Sequence, residues 1–194
     1  MVDKDEINII TDFKEEYNFG GITFNNWTYY IQDYLKKITN QNNKSTFLQF
    51  TINDISFLIT GDSEAAEATQ IVNNDNINLI RIDVYEVPHH GSANSAGPNF
   101  LKKIEPKYCY ISGTSSESEE PNWSKFDGGH PFPTTSALNN LSNYCDKELS
   151  LTGTPYNDNT RDLDNYNYSY EFKVKADKTF ETITHKETIL DSLN

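Results

Sequence analysis

Cysteine is almost absent: Cys109 and Cys145 are the two in 194 residues. With no Cys-x-x-Cys spacing and no Cys/His cluster, zinc-finger modules and disulfide scaffolds are excluded. Cys109 lies in the apolar run Tyr108-Cys109-Tyr110-Ile111, which predicts a small buried core residue. Long apolar runs are missing too. None approaches the roughly 20 residues that span a bilayer, and the opening MVDKDEINII lacks the basic-then-apolar order of a secretory signal. A cytoplasmic protein without a membrane partner is expected. Basic charge is scarce: 16 Lys and Arg stand against 29 Asp and Glu, for a net charge of -13. The nearest approach to a basic patch is two isolated pairs, Lys36-Lys37 and Lys102-Lys103. Sequence-independent binding to nucleic acid needs Lys and Arg to displace counterions, so nucleic acid is expected only as a substrate, held by metal ions or a small site.

What is present in excess is asparagine, at 23 positions and often paired; it reads as a compositional bias without functional weight. The 36% of hydrophobic residues suffices for one core. No Pro/Gly/Ser linker divides the chain, so one domain over 1–194 is expected: a divergent segment 1–45, a motif-bearing α/β part 46–153 and a closing hairpin 154–194.

Trp27, Tyr30, Ile31, Tyr34, Leu35 and Ile38 recur at helical spacing and predict one amphipathic helix, preceded by a Gly20-Gly21 turn. Alternation from Thr46, broken by Asn53-Asp54, predicts a hairpin whose second strand, Ile55 to Thr60, is buried on both faces. That strand ends in Gly61-Asp62-Ser63-Glu64, where Asp62 or Ser63 can cap a helix through Ala65 to Val72. Strand 82–87, Pro88-His89-His90-Gly91-Ser92 and a helix near 100–104 repeat the plan. So do strand 108–112, an acidic loop and a helix 136–144. Strand 148–152 and a hairpin turning at Ala176-Asp177-Lys178 complete the pattern. Strands alternating with helices predict an α/β layer structure, with the loops at strand C-terminal ends gathered on one edge. Asp62, His89, His90 and His130 fall on that edge. Carboxylate and imidazole together suit zinc or manganese. Each residue also has an ordinary reading, as a cap, a turn or a loop hydrogen bond, and His185 in the tail hairpin has no ligand-type neighbour.

Taken together, Phe57-Leu58-Ile59-Thr60-Gly61-Asp62-Ser63-Glu64, then Asp83-Val84-Tyr85-Glu86-Val87-Pro88-His89-His90-Gly91-Ser92 with Ser95, then Pro106-Lys107 and Gly129-His130-Pro131, resemble the C-terminal half of metallo-β-lactamase-fold hydrolases. The subgroup resembled is that at the end of DNA-uptake competence channel proteins. The resemblance spans about residues 42–153, and His89 follows Asp62 by 27 residues. It implies an αββα sandwich, partial in its N-terminal half, and a Zn2+ or Mn2+ site. Asp62 would bridge the ions, His89 or His90 would be a ligand, and His130 would orient or protonate substrate while hydroxide activated by the metals attacks.

The family's upstream His-x-His-x-Asp-His cluster has no counterpart, since no histidine precedes His89. An incomplete metal site is therefore expected, in one half of a split enzyme, a degenerate homologue or a truncated product. A lone half exposes an apolar sheet face, which predicts cover by the N-terminal aromatic helix, a second copy in a homodimer, or a separate N-terminal-half partner. Two other functions compete: a catalytically inactive binding or assembly protein, and a Gly-Asp-Ser esterase using Ser63 with His130.

Overall fold

Asn53 and Asp54 adopt φ of 48° and 66°, the left-handed pair that a two-residue turn needs to match strand twist. They join β3 (Leu48–Ile52) to β4 (Ile55–Ile59) with Ile52 opposite Ile55. The computed structural model describes residues 13–95, 97–112, 132–152 and 166–188. Gly20 and Gly21, at φ 58° and 82°, make the expected turn, here between β1 (Glu16–Phe19) and β2 (Ile22–Asn26), two strands within the segment 1–45 that local pattern does not announce.

The sheet runs β1-β2-β3-β4-β5-β6-β7, antiparallel as far as β4 and parallel from there. β5 is Val84–Glu86, β6 Tyr108–Ile111 and β7 Glu148–Leu151. The crossovers carry α2 (Ala65–Val72), α3 (Pro98–Ile104) and α4 (Thr135–Tyr144). All three helices bury their apolar stripes on one sheet face, where Ile71, Leu101, Ile104 and Leu141 meet Leu58, Tyr85, Cys109 and Ile111. Cys109 is the core residue its neighbours predict. The chain is thus mixed α/β, with the C-terminal ends of four parallel strands on one edge.

The aromatic segment packs into this core but is not one helix. A 3-10 helix over Trp27–Ile31 precedes a single α turn, α1 (Gln32–Leu35). The reason lies at its start. Trp27 N–H donates to the Phe47 carbonyl at 3.0 Å, and the Thr28 hydroxyl accepts from Phe47 N–H at 2.7 Å, tying the first residues to the approach to β3. Trp27 and Ile31 are buried, as the spacing predicts.

Neither Asp62 nor Ser63 caps α2. The Ala65 N–H donates to the Asn94 carbonyl at 2.7 Å and the Glu67 N–H to the Asn43 side chain at 3.1 Å, so residues distant in sequence satisfy the orphan donors.

On the opposite face Ile55, Phe57, Val84 and Tyr110 form a second cluster. Its cover is the chain's own hairpin, β8 (Tyr166–Val174) and β9 (Phe180–Thr188). Phe172 packs edge-on against Tyr110 at 4.4 Å, the Tyr110 and Thr182 hydroxyls bond at 3.1 Å, and Lys178 pairs with Asp54. The aromatic row Phe24, Phe50, Phe57 continues beyond the hairpin to Phe19, 48% exposed.

At the N-terminal ends of the parallel strands, Asp83 accepts from the Ser56 N–H at 2.8 Å, the Ser56 hydroxyl at 3.0 Å and Lys107 Nζ. Burial works against its ionisation, but Lys107 and Ser56 outweigh it and hold the carboxyl below its ordinary value. Asp83→Asn is expected to cost about 1 to 3 kcal/mol in urea denaturation at pH 7, because Lys107 loses its counter-charge. The depressed carboxyl stabilises the fold above its unfolded value, and that stability is lost as pH falls through the folded value. The gap between variant and wild type should therefore close in acid.

Candidate functional site

β4 and β5 end side by side, and each delivers one half of the site. After β4 the chain turns through Gly61 at φ 52° to Asp62, whose N–H donates to the Ser45 hydroxyl at 3.0 Å. After β5, Pro88–Gly91 forms a short 3-10 turn in which His89 and His90 have φ of 48° and 52°. Two successive left-handed residues other than glycine are costly. Three bonds hold them, one within the turn and two from other segments: the Ser92 N–H on the His89 carbonyl at 2.9 Å, the His89 N–H on the Gly61 carbonyl at 2.9 Å, and the Thr134 N–H on the Gly91 carbonyl at 2.9 Å.

The twisted backbone sends the two rings in opposite directions. His89 turns inward, 5.3 Å from the Phe132 ring, with Nδ1 3.7 Å from Glu64 Oε1 and Nε2 3.5 Å from the Asn42 amide. Glu64 accepts from Asn40, Asn42 and Asn43 at 3.0, 3.3 and 3.0 Å, so clustered asparagines build the wall behind His89. His90 turns outward. Its Nδ1 lies 2.5 Å from the Ser112 carbonyl, beyond the end of β6, and its Nε2 stands 3.8 Å from Asp62 Oδ1. A carbonyl oxygen can only accept, so Nδ1 carries a proton, and Nε2 is the ring nitrogen that faces Asp62. This is how metal-binding imidazoles are commonly oriented from behind.

Two donors each about 2.0 to 2.2 Å from one tetrahedral ion stand about 3.3 to 3.6 Å apart, and the 3.8 Å between Asp62 and His90 is slightly wider than that spacing. A tetrahedral site needs four donors. Among the described residues no three His, Cys, Asp or Glu side chains converge to hold a metal ion. The donors present fit part of a metal centre and do not fill one. His130, the other expected site residue, lies outside the described residues, as does the loop that carries it. Ser63 is 1% exposed, with its hydroxyl 3.5 Å from the Glu64 carbonyl, and presents no nucleophile to solvent.

Glu86, the last residue of β5, was not singled out by sequence reasoning. Burial raises its carboxyl above the ordinary value, against the opposing backbone N–H groups of Thr60 and Gly61 and the neighbouring His90. One signal for it existed: strand alternation puts Glu86 on the same face as Val84, an acid in an otherwise apolar row.

The geometry defines a mixed α/β chain with a carboxylate–imidazole pair at the ends of parallel strands. No family model matches the chain. Over 83 residues it is 37% identical to ComE operon protein 3 of Bacillus subtilis (strain 168), covering 42% of this chain and 10% of that protein. The matched segment is thus a small part of a much longer relative. Among the described residues no helix is long and apolar enough to cross a membrane.

Proposed function

We propose that the Asp62–His90 edge is part of a divalent-cation site of a metal-dependent hydrolase of the metallo-β-lactamase type, acting on ester or phosphodiester bonds. The carrying observation is the pairing of Asp62 Oδ1 with His90 Nε2 at 3.8 Å while the Ser112 carbonyl fixes the other ring nitrogen. His90 is then the ligand and His89 the residue behind it. The remaining donors would come from a second copy or a separate partner chain, while His130, outside the described residues, would orient or protonate the substrate. A bound Zn2+ or Mn2+ supplies Lewis acidity toward the scissile bond and its attacking water. The chain's own part is to hold the ring's tautomer through Ser112 and to fix the left-handed turn through Gly61 and Thr134. The partial similarity to a segment of a longer protein supports reading this chain as a module.

A second reading is an inactive homologue that binds or assembles, in keeping with a donor set that stops at Asp62 and His90 among the described residues. Thermal unfolding of the full chain separates the two. At a hundredfold excess over Kd, Zn2+ or Mn2+ is expected to raise Tm by about 5 to 10 °C. Asp62→Asn and His90→Ala should each abolish that rise, while His89→Gln retains part of it. Absence of any rise in the wild type, with no metal-stimulated cleavage of a nitrophenyl ester or phosphodiester, would leave the inactive reading standing.

A further inference from the structure

Glu86 ends β5 on the sheet face shared by Phe57 and Val84, an acid in an apolar row. It borders the cavity under the hairpin with those two residues and Tyr110, and burial opposes its charge. Packing gives no reason for a carboxyl here, but hydrogen bonding does. The parallel ladder of β4 with β5 pairs Phe57 with Val84 and Leu58 with Tyr85, and then stops. Past that point Thr60, wholly buried, is tied to Glu86 twice: its hydroxyl donates to the Glu86 carbonyl at 2.9 Å and its N–H to the Glu86 carboxyl at 3.4 Å. The Gly61 N–H faces the same carboxyl. A buried backbone N–H needs an acceptor, and at this edge a side chain supplies what the ladder no longer does. The Thr60–Gly61 peptide leads to both halves of the site. Asp62 is the next residue, and the Gly61 carbonyl accepts the His89 N–H at 2.9 Å, one of the bonds that hold the left-handed turn.

We propose that Glu86 is a positioning residue of the candidate site: its carboxyl fixes the Thr60–Gly61 peptide and through it sets both Asp62 and the turn that carries His90. It acts by accepting backbone N–H bonds. Among the described residues it does not join Asp62 and His90 as a third metal donor. That Asp62 and His90 bind a cation rests on the hydrolase reading, whereas the hold of Glu86 on their backbone does not.

Two variants of the full chain test this. Glu86→Met removes the acceptor at similar length, and Glu86→Gln keeps an acceptor oxygen while removing the charge. In chelator, amide hydrogen exchange at Thr60 and Gly61 is expected to quicken about tenfold or more in Glu86→Met and to stay within about threefold of the wild type in Glu86→Gln. The Tyr108 N–H, bonded to the Asp83 carbonyl at the opposite end of the parallel strands, is the reference and should exchange alike in all three proteins. With Zn2+ or Mn2+ added, the cation affinity read from the rise in Tm should fall about tenfold in Glu86→Met and stay within about threefold in Glu86→Gln. Unchanged exchange in Glu86→Met overturns the proposal, and so does an equal quickening at Tyr108, the mark of a merely structural residue. Equal losses of cation affinity in both variants, with exchange in Glu86→Gln intact, also overturn it, because charge would then act on the ion directly. If neither cation raises the Tm of the wild type, the hydrolase reading fails, while the exchange rates still decide whether Glu86 sets the turn.

Discussion

Gly91→Ala is expected to lower stability by about 2 to 5 kcal/mol, a fall in Tm of about 5 to 15 °C. Two independent costs add. Gly91 sits at φ +77°, where an L side chain is strained, and an added Cβ would meet Pro133 Cβ at 2.6 Å and Pro133 Cα at 3.2 Å. The obstruction includes backbone, so no rotamer change relieves it. Relief requires the 132–134 segment to withdraw, which breaks the Thr134 N–H bond to the Gly91 carbonyl and uncovers His89. The turn that aims His90 at Asp62 then loses one of its three restraints, so any cation-induced rise in Tm should shrink as well. Gly97→Ala is the control. Gly97 lies at φ -70°, and its Cβ would stand 3.8 Å from Ala65 Cβ, an ordinary contact. Its cost should stay below about 1 kcal/mol. Equal losses at the two positions in thermal and urea unfolding would show that neither the Pro133 contact nor the positive φ of Gly91 sets the effect.

What could be read in advance divides along the line between local and distant causes. The β3–β4 turn, the strand–turn–helix units and the β8–β9 hairpin are written in neighbouring residues, in apolar runs bounded by Asn-Asp, Gly-Asp and Ala-Asp-Lys. β1 and β2 are not, because their half-exposed residues gain order from pairing with β3, Phe24 opposite Phe50. The start of α2 was misassigned for the same reason: its partners, Asn43 and Asn94, lie far along the chain. Asparagines read as mere bias turn out to build the Glu64 cradle. At the site, strand-end logic brought Asp62 and the histidine pair to one edge. Which of the two rings lies beside Asp62 was illegible, since that depends on two left-handed residues and on the Gly61 carbonyl and Thr134 amide that hold their turn. The apolar face was expected to need cover. The tail hairpin supplies part of it, and its aromatic residues could be matched to Phe57 and Tyr110 only in three dimensions.

The same distinction governs the second large effect, at a residue no motif marks. Glu67 on α2 is wholly buried, and neither carboxyl oxygen has a partner at hydrogen-bond geometry. Burial pushes the carboxyl up from 4.5 to about 8, with Ser63 and the Ser45 backbone close enough to oppose the shift. The folded chain therefore keeps a proton that the unfolded chain releases. The stability tied to it is complete below about pH 4.5 and is lost progressively as pH rises toward about 8. At pH 7 the loss is on the order of 3 kcal/mol. Glu67→Gln keeps the shape and cannot ionise. It is expected to match the wild type near pH 4.5 and to exceed it by about 1 to 3 kcal/mol at pH 7 to 8. Urea midpoints measured for both proteins across that range give the difference directly, since other titrating groups are common to the two. Parallel profiles would mean that Glu67 ionises in the folded state at its ordinary value, and that its burial is relieved by motion of α2.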